Sequence, residues 1–245
     1  MFNTKSIFEL ICLVYLNLKN TVYQFFDYLR VITKYYRCNY FFKIDSYLLS
    51  LYFFKNPFRI SKNFLRKKGG LDIYVYGETP LATLEIIAKK CHLSSGDILF
   101  ELGCGRGRSC FWLSHFIQCQ TVGVDFVPEF IEKADRVKKK FKLKNVEFRA
   151  EDFLTTDFSG GTVFYLYAIC LSDEMICQLI DRFKNLPEGV KIITISYALN
   201  EYIPNKKLFK ILDSFKLSFP WGNAMVFIQE RSMALNSQYT QLSSK

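Results

Sequence analysis

Few architectures accommodate an apolar, strand-like run that gives way to alternating glycines and then to a helical pattern, yet residues 97–109 read DILFELGCGRGRS. Glycine loses more conformational freedom on folding than any other residue. Its recurrence at 103, 105 and 107 therefore marks a place where the backbone shape or the missing side chain is needed. The surroundings repeat the theme. A helix is predicted over LATLEIIAKKC, with Thr79-Pro80 as its N-cap and first-turn proline, and it leads into the strand DILFEL. After the glycines come a helix through SCFWLSHFI, a strand TVGVDF and a helix PEFIEKADRVKKKFKL. Strands NVEFRAEDF and TVFYLYAI, a helix DEMICQLIDRFKNL and a strand GVKIITISYAL complete the series. Strands alternating with helices of this length form βαβ units around a parallel sheet. A helix is predicted near NKKLFKILDSF, and KLSF and AMVFIQER flank PWGN as an antiparallel hairpin added to the sheet.

Charge divides the chain in two. Residues 1–70 hold 12 Lys and Arg against Glu9, Asp27 and Asp45, so 12 − 3 = +9 of the total +10 lies there. Residues 71–231 form the nearly neutral α/β part, and RKKGGLD marks the boundary with the basic leader. Polar residues 232–245 read as a disordered tail. In the leader, Val22, Phe25, Phe26, Leu29, Ile32 and Tyr36 recur at helical spacing, which predicts helices packed on the main domain. The rival reading is a helix lying on a membrane, because Lys and Arg among Phe and Tyr suit an anionic surface. The leader's charge likewise suits an acidic partner.

The opening residues resemble a signal peptide only superficially, since Glu9 interrupts the apolar run and no small-x-small site follows. No uncharged run of about 18 residues offers a membrane span. A cytoplasmic protein is expected, with peripheral attachment at a membrane as the alternative. The eight cysteines include no C-x-x-C pair, and only His92 and His115 accompany them. Buried free thiols and no metal are the expectation.

Ligands of open α/β sheets bind outside the carboxyl ends of the strands, beside the first turn. Asp125 ends the second strand 22 residues after Gly103, where a carboxylate accepts from ribose hydroxyls. Asp152 ends the third strand, placed to accept from an adenine amino group, with Phe153 positioned against the base. Arg108 stands where a dinucleotide fingerprint wants a third glycine, and no Walker lysine follows the turn. Glu101, just before the turn, repels a pyrophosphate and attracts the cationic end of an amino acid. S-adenosyl-L-methionine, carrying an ammonium and a sulfonium, fits these residues better than NAD.

ELGCGRG followed by GVD resembles motifs I and II of the class I S-adenosylmethionine-dependent methyltransferases, a likeness covering about residues 71–231. It implies a Rossmann-like, mostly parallel sheet with a C-terminal antiparallel hairpin. It also implies that the glycine loop, through Glu101, Gly103 and Gly105, holds the methionine moiety, while Asp125 takes the ribose and Asp152 the adenine. VYGETP, AEDF, QLIDRFKNLPEG and the late PWG are further similar to the disruptor-of-telomeric-silencing family of non-SET histone lysine methyltransferases. There a YGET loop closes over the cofactor, which would make Tyr76, Gly77, Glu78 and Thr79 lid residues. The chain departs from that family in carrying Leu166-Tyr167 where paired asparagines are expected, and VFIQE in place of a tyrosine-rich last strand.

Methyl transfer to an amine needs positioning and a desolvated, aromatic-lined channel more than acid–base machinery, and no triad or carboxylate pair stands out. The patterns of amino-methylating DNA enzymes and of cytosine-C5 enzymes are absent after the fourth strand, where LYAICLSDE stands and Tyr167 is the candidate acceptor contact. A protein substrate methylated at lysine is the leading expectation. A small-molecule or lipid-associated methyltransferase and a non-catalytic cofactor-binding scaffold stay open beside it.

Overall fold

A computed structural model describes residues 4–69, 76–167, 171–204 and 207–232. The predicted tail from 233 onward and the last part of the boundary, 70–75, lie outside the described residues. Seven strands form one sheet in the order β3-β2-β1-β4-β5-β7-β6. Those numbers denote β1 Ile98–Leu102, β2 Gln120–Val124, β3 Val146–Arg149, β4 Val163–Leu166, β5 Lys191–Ile195, β6 Phe209–Phe219 and β7 Gly222–Arg231. The first five run parallel, β7 runs antiparallel to β5, and β6 antiparallel to β7. Strand order reverses between β1 and β4, so their carboxyl ends open a crevice, and the glycine loop sits there.

The central strands are buried on both faces, which is why their sequences are apolar without a break. Leu99, Tyr165, Ile193 and Ile195 face one layer with Leu84, Ile87 and Trp112, whereas Phe100, Leu102, Phe164 and Leu166 face the other with Leu179, Ile180 and Phe183. On the first side lie α4 Leu81–Lys90, α5 Arg108–Trp112 with its π-helical continuation to Ile117, and α6 Pro128–Phe141. The second side has α7 Asp173–Phe183, but the link from β3 to β4 contains no helix. Phe158 fills that gap, stacked on Phe183 and edge-on to Phe100 and Phe164.

The leader folds as α1 Thr4–Arg30, a π-helical turn Val31–Tyr35, α2 Asn39–Ser50 and α3 Pro57–Lys67. Asn56 caps α3 by accepting from Phe58 N–H, with Pro57 at the first position. α2 packs over α5 and α6 through Ile44 and Leu48, in a cluster with Phe111, Phe130 and Val137.

Three expectations are corrected. The stretch near NKKLFKILDSF is the outer strand β6, not a helix; Leu208, Ile211, Leu212 and Phe215 happen to fall at helical spacing, and a bulge between Ile211 and Asp213 hides the alternation. Thr79 does not cap α4, whose N-cap is Pro80 without a side-chain cap bond. The α1 stripe expected to pack inward is solvent-facing: Val22, Phe25, Phe26, Leu29 and Ile32 are all exposed, while Val31 and Tyr35 are the buried anchors.

Candidate functional site

The glycine loop is held by its neighbour strand. Gly103 and Cys104 N–H both donate to Val124 C=O, at 2.8 and 3.0 Å, so the chain leaves β1 in a turn set by the end of β2. Gly103 has φ +84°, and a Cβ there would meet nothing within 4 Å; the position opens onto the cleft. Gly107, the N-cap of α5, has φ +71° and lies so close to the Phe148 ring that a Cβ would fall 2.4 Å from it. Left-handed backbone and lack of room both demand glycine there.

Asp125 follows β2 and uses both oxygens on the backbone. Gly105 N–H donates to Oδ2 at 2.7 Å and Val127 N–H to Oδ1 at 2.9 Å, tying the loop to the start of α6. Burial raises its pKa to about 6 despite those two bonds. Glu101 is 5 % exposed, and accepts from Ser109 Oγ at 2.5 Å and from the Cys110 thiol at 3.0 Å. Burial again dominates, pushing it up to about 7 over the opposing effect of those donors. No cationic side chain touches either carboxylate among the described residues, so both acids favour an incoming cation.

A second segment, Tyr76–Pro80, lies across this loop. Arg106 donates from Nε and Nη2 to the two Glu78 oxygens, each at 2.6 Å, and the Tyr76 hydroxyl donates to the same carboxylate. Although burial opposes it, the Arg106 charge holds the Glu78 pKa below its usual value. The Tyr76 ring covers Gly105, where a Cβ would lie 3.0 Å from the ring, and Gly77 abuts Tyr167 in the same way at 2.8 Å. The Thr79 and Tyr165 hydroxyls are paired at 2.5 Å. On the acceptor side, Trp221 Nε1 donates to Tyr167 Oη at 2.8 Å and stacks on Phe219, making an aromatic wall at the end of β4.

Seven predicted residues are therefore gathered: Tyr76, Glu78, Thr79, Glu101, Gly103, Gly105 and Asp125. Of these, Glu78, Thr79, Glu101 and Gly103 line, with Gly77, a hollow of about 10 Å³, the space of roughly one water, so the Tyr76–Pro80 segment lies closed on the glycine loop and leaves no room there for a nucleoside-sized ligand. Asp152 and Phe153 are placed differently. Asp152 Oδ1 accepts from Leu154 N–H at 2.8 Å, Phe153 packs against the α7 side of the sheet, and no described hydrogen bond joins either to the glycine loop. Sequence reasoning missed Arg106 and Ser109. Arg106 is the single charged residue between the glycines, a usable signal, but its partner Glu78 lies 28 residues upstream.

A family model described as a methyltransferase domain matches residues 93–208. The structure of an RNA methyltransferase from Salinibacter ruber, in complex with S-adenosyl-L-homocysteine, superposes with a TM-score of 0.53 at 20 % identity over 67 % of this chain and 100 % of that one. Residues 93–208 thus match a methyltransferase domain, and the sheet has the fold of that S-adenosyl-L-homocysteine-bound enzyme. By sequence, the methyltransferase domain is similar to a histone-lysine N-methyltransferase, H3 lysine-79 specific, of Dictyostelium discoideum. Identity is 23 % over 163 residues, covering 60 % of this chain and 8 % of that protein. It is 31 % identical over 119 residues to the sterol 24-C-methyltransferase of Saccharomyces cerevisiae, 47 % of this chain and 31 % of that protein. A protein-lysine N-methyltransferase of Saccharolobus islandicus is 24 % identical over 140 residues, 56 % of this chain and 85 % of that protein. The chain thus spans less than a third of the first two relatives.

S-adenosylmethionine fits the residues of the methyltransferase domain. The open face of Gly103 admits a ligand against the backbone, and the buried Glu101, without a cationic partner, complements an ammonium or a sulfonium.

Proposed function

We propose that this chain transfers a methyl group from S-adenosylmethionine to a protein side-chain amine, with lysine as the acceptor. The cofactor supplies an electrophilic methyl on its sulfonium. Glu101 and the backbone around Gly103 hold its amino-acid end, Asp125 its ribose, and Tyr76–Thr79 exclude water by lying over it. The carrying observation is the wall of Tyr167, Trp221 and Phe219 beside Gly77, at the rim where an acceptor enters. Aromatic faces fit the aliphatic stem of a lysine and attract its ammonium, which sheds a proton to solvent before the neutral nitrogen displaces the methyl from the sulfonium, leaving the thioether. Two of the relatives are named as lysine methyltransferases, which supports the same acceptor.

A lipid-borne acceptor is the second reading, favoured by the exposed apolar stripe of α1 and by the sterol-methylating relative. Transfer of labelled methyl into a fractionated lysate separates the two, with Asp125→Ala as control. Label in a protein band, absent with the variant and located on lysine by mass spectrometry, is the expected result. Label confined to the lipid fraction ends the lysine reading and keeps the methyltransferase.

A further inference from the structure

α1 and the π-helical turn after it present Tyr15, Leu18, Val22, Phe25, Leu29 and Ile32 at alternating spacings of three and four, and these side chains are between 39 % and 64 % exposed. Val14 and Phe26, at 60 % and 57 %, widen the stripe. A second feature stands on the next connection: Phe53 and Phe54, at the turn after α2, are 82 % and 91 % exposed.

Contacts place the Phe53–Phe54 turn and the first part of α1 at one end of the molecule. α2 begins beside the end of α6, where Tyr40 Oη donates to Phe141 C=O, and Tyr52 just beyond its end lies against Phe130 and Arg106, at the start of α6 and the glycine loop. It therefore runs toward the carboxyl rim of the sheet and delivers Phe53 and Phe54 there. α1 runs the opposite way. Tyr35 packs on Trp112 and Phe116 within the helical layer, whereas Tyr23 reaches Ser218 C=O beside the β6–β7 turn above the rim. Residues 4–22 continue past that contact for about 28 Å. The cofactor cleft opens at the same rim.

We infer that the outward face of α1 and the Phe53–Phe54 turn seat this chain on an anionic lipid surface, with the methyl-transfer cleft turned toward it. Charge complementarity selects this occupant. Residues 1–70 carry +9 (12 − 3), and Lys19, Arg30, Arg37, Lys43 and Lys55 are exposed around the apolar groups. Beside Phe54, a hollow of about 420 Å³ is bordered by Lys55, Arg59 and Lys67, with Glu129 as its acid. The three–four spacing also suits a coiled coil with a second copy. Its flanking positions, however, are Val14, Thr21 and Tyr28 on one side and Lys19, Phe26 and Thr33 on the other. They offer no acid–base pairs to set a register, and two such leaders repel. A helix dimer also leaves Phe53 and Phe54 bare.

This docking stands apart from the identity of the methyl acceptor, and its test reads binding rather than turnover. The full chain is sedimented with phosphatidylcholine vesicles containing about 30 % phosphatidylserine, and with vesicles of phosphatidylcholine alone. The expected result is binding to the anionic vesicles that falls about tenfold or more without phosphatidylserine or in about 0.5 M salt. A chain carrying Phe53→Ser and Phe54→Ser, and separately one carrying Leu18→Asp and Phe25→Asp, loses about tenfold in binding with an unchanged thermal midpoint. Equal binding to both vesicle types, or none, overturns the proposal. So does a stable dimer in light scattering that Leu18→Asp dissociates, which assigns the face to a second copy.

Discussion

Glu101 sits at the end of β1 with a hydroxyl and a thiol as its side-chain partners, and Asp125 is buried against two backbone amides. With pKa values near 7 and 6, both raised chiefly by burial, they keep protons in the folded chain that ordinary carboxyls have already lost. Between about pH 4 and pH 7 the folded state then binds more protons than the unfolded state, so stability falls as pH rises through that window. Glu101→Gln removes one of these costs. It is expected to stabilise the ligand-free chain by about 2 kcal/mol at pH 8 and hardly at all near pH 4, read as thermal midpoints across a pH series. The same variant should bind S-adenosylmethionine more weakly at pH 8. Parallel pH profiles for the two proteins would mean that Glu101 titrates in the folded chain as it does in the unfolded one. The position of this acid was legible, because the strand-glycine boundary locates it; its raised pKa was not, since that depends on Ser109 and Cys110 returning in α5 to enclose it.

At the scale of elements, two arginines separated by Gly107 fasten two different segments to the glycine loop. Arg106 holds the Tyr76–Pro80 segment through Glu78. Arg108 holds α2 through Asp45, with Nε to Oδ1 at 2.8 Å and Nη2 to Oδ2 at 2.6 Å, and Tyr36 Oη donates to the same carboxylate. Asp45 is 1 % exposed, so removing it strands a buried guanidinium. Asp45→Ala is expected to cost about 3–5 kcal/mol in urea unfolding, and Asp45→Ala with Arg108→Met substantially less. Equal losses in the two variants would mean that packing of α2, not the ion pair, is what Asp45 supports. Hydrophobic period located α2's neighbours and nearly every strand. It failed at β6, an edge strand whose bulge and alternate charged residues imitate a helical repeat. The ion pairs were invisible for another reason: pairing across 63 residues follows from how α2 lies over α5, which no local pattern encodes.

For the molecule as a whole, the leader is two things joined. Its second part is structural, with Val31, Tyr35 and Phe41 fully buried against Trp112 and Phe116. Residues 14–19 instead expose every side chain described among them. A chain carrying Tyr15→Ser and Leu18→Ser should therefore unfold within about 2 °C of the unaltered chain. Deletion through residue 36 removes Val31 and Tyr35 and should cost about 3–5 kcal/mol, measured in the same urea titration. The α/β class, the parallel direction of most strands, the glycine turn and the acid after β2 all followed from the amino-acid order, because period, turn chemistry and spacing are local properties. Which face of α1 meets the protein did not follow. An apolar stripe states that something must cover it and never what, and the answer came from Val31 and Tyr35 filling the layer over α4 and α5 first. Closure of the Tyr76–Pro80 segment on the glycine loop was likewise settled by packing, since an arginine and a glutamate 28 residues apart pair only once β1 and α4 bring their loops to the same rim.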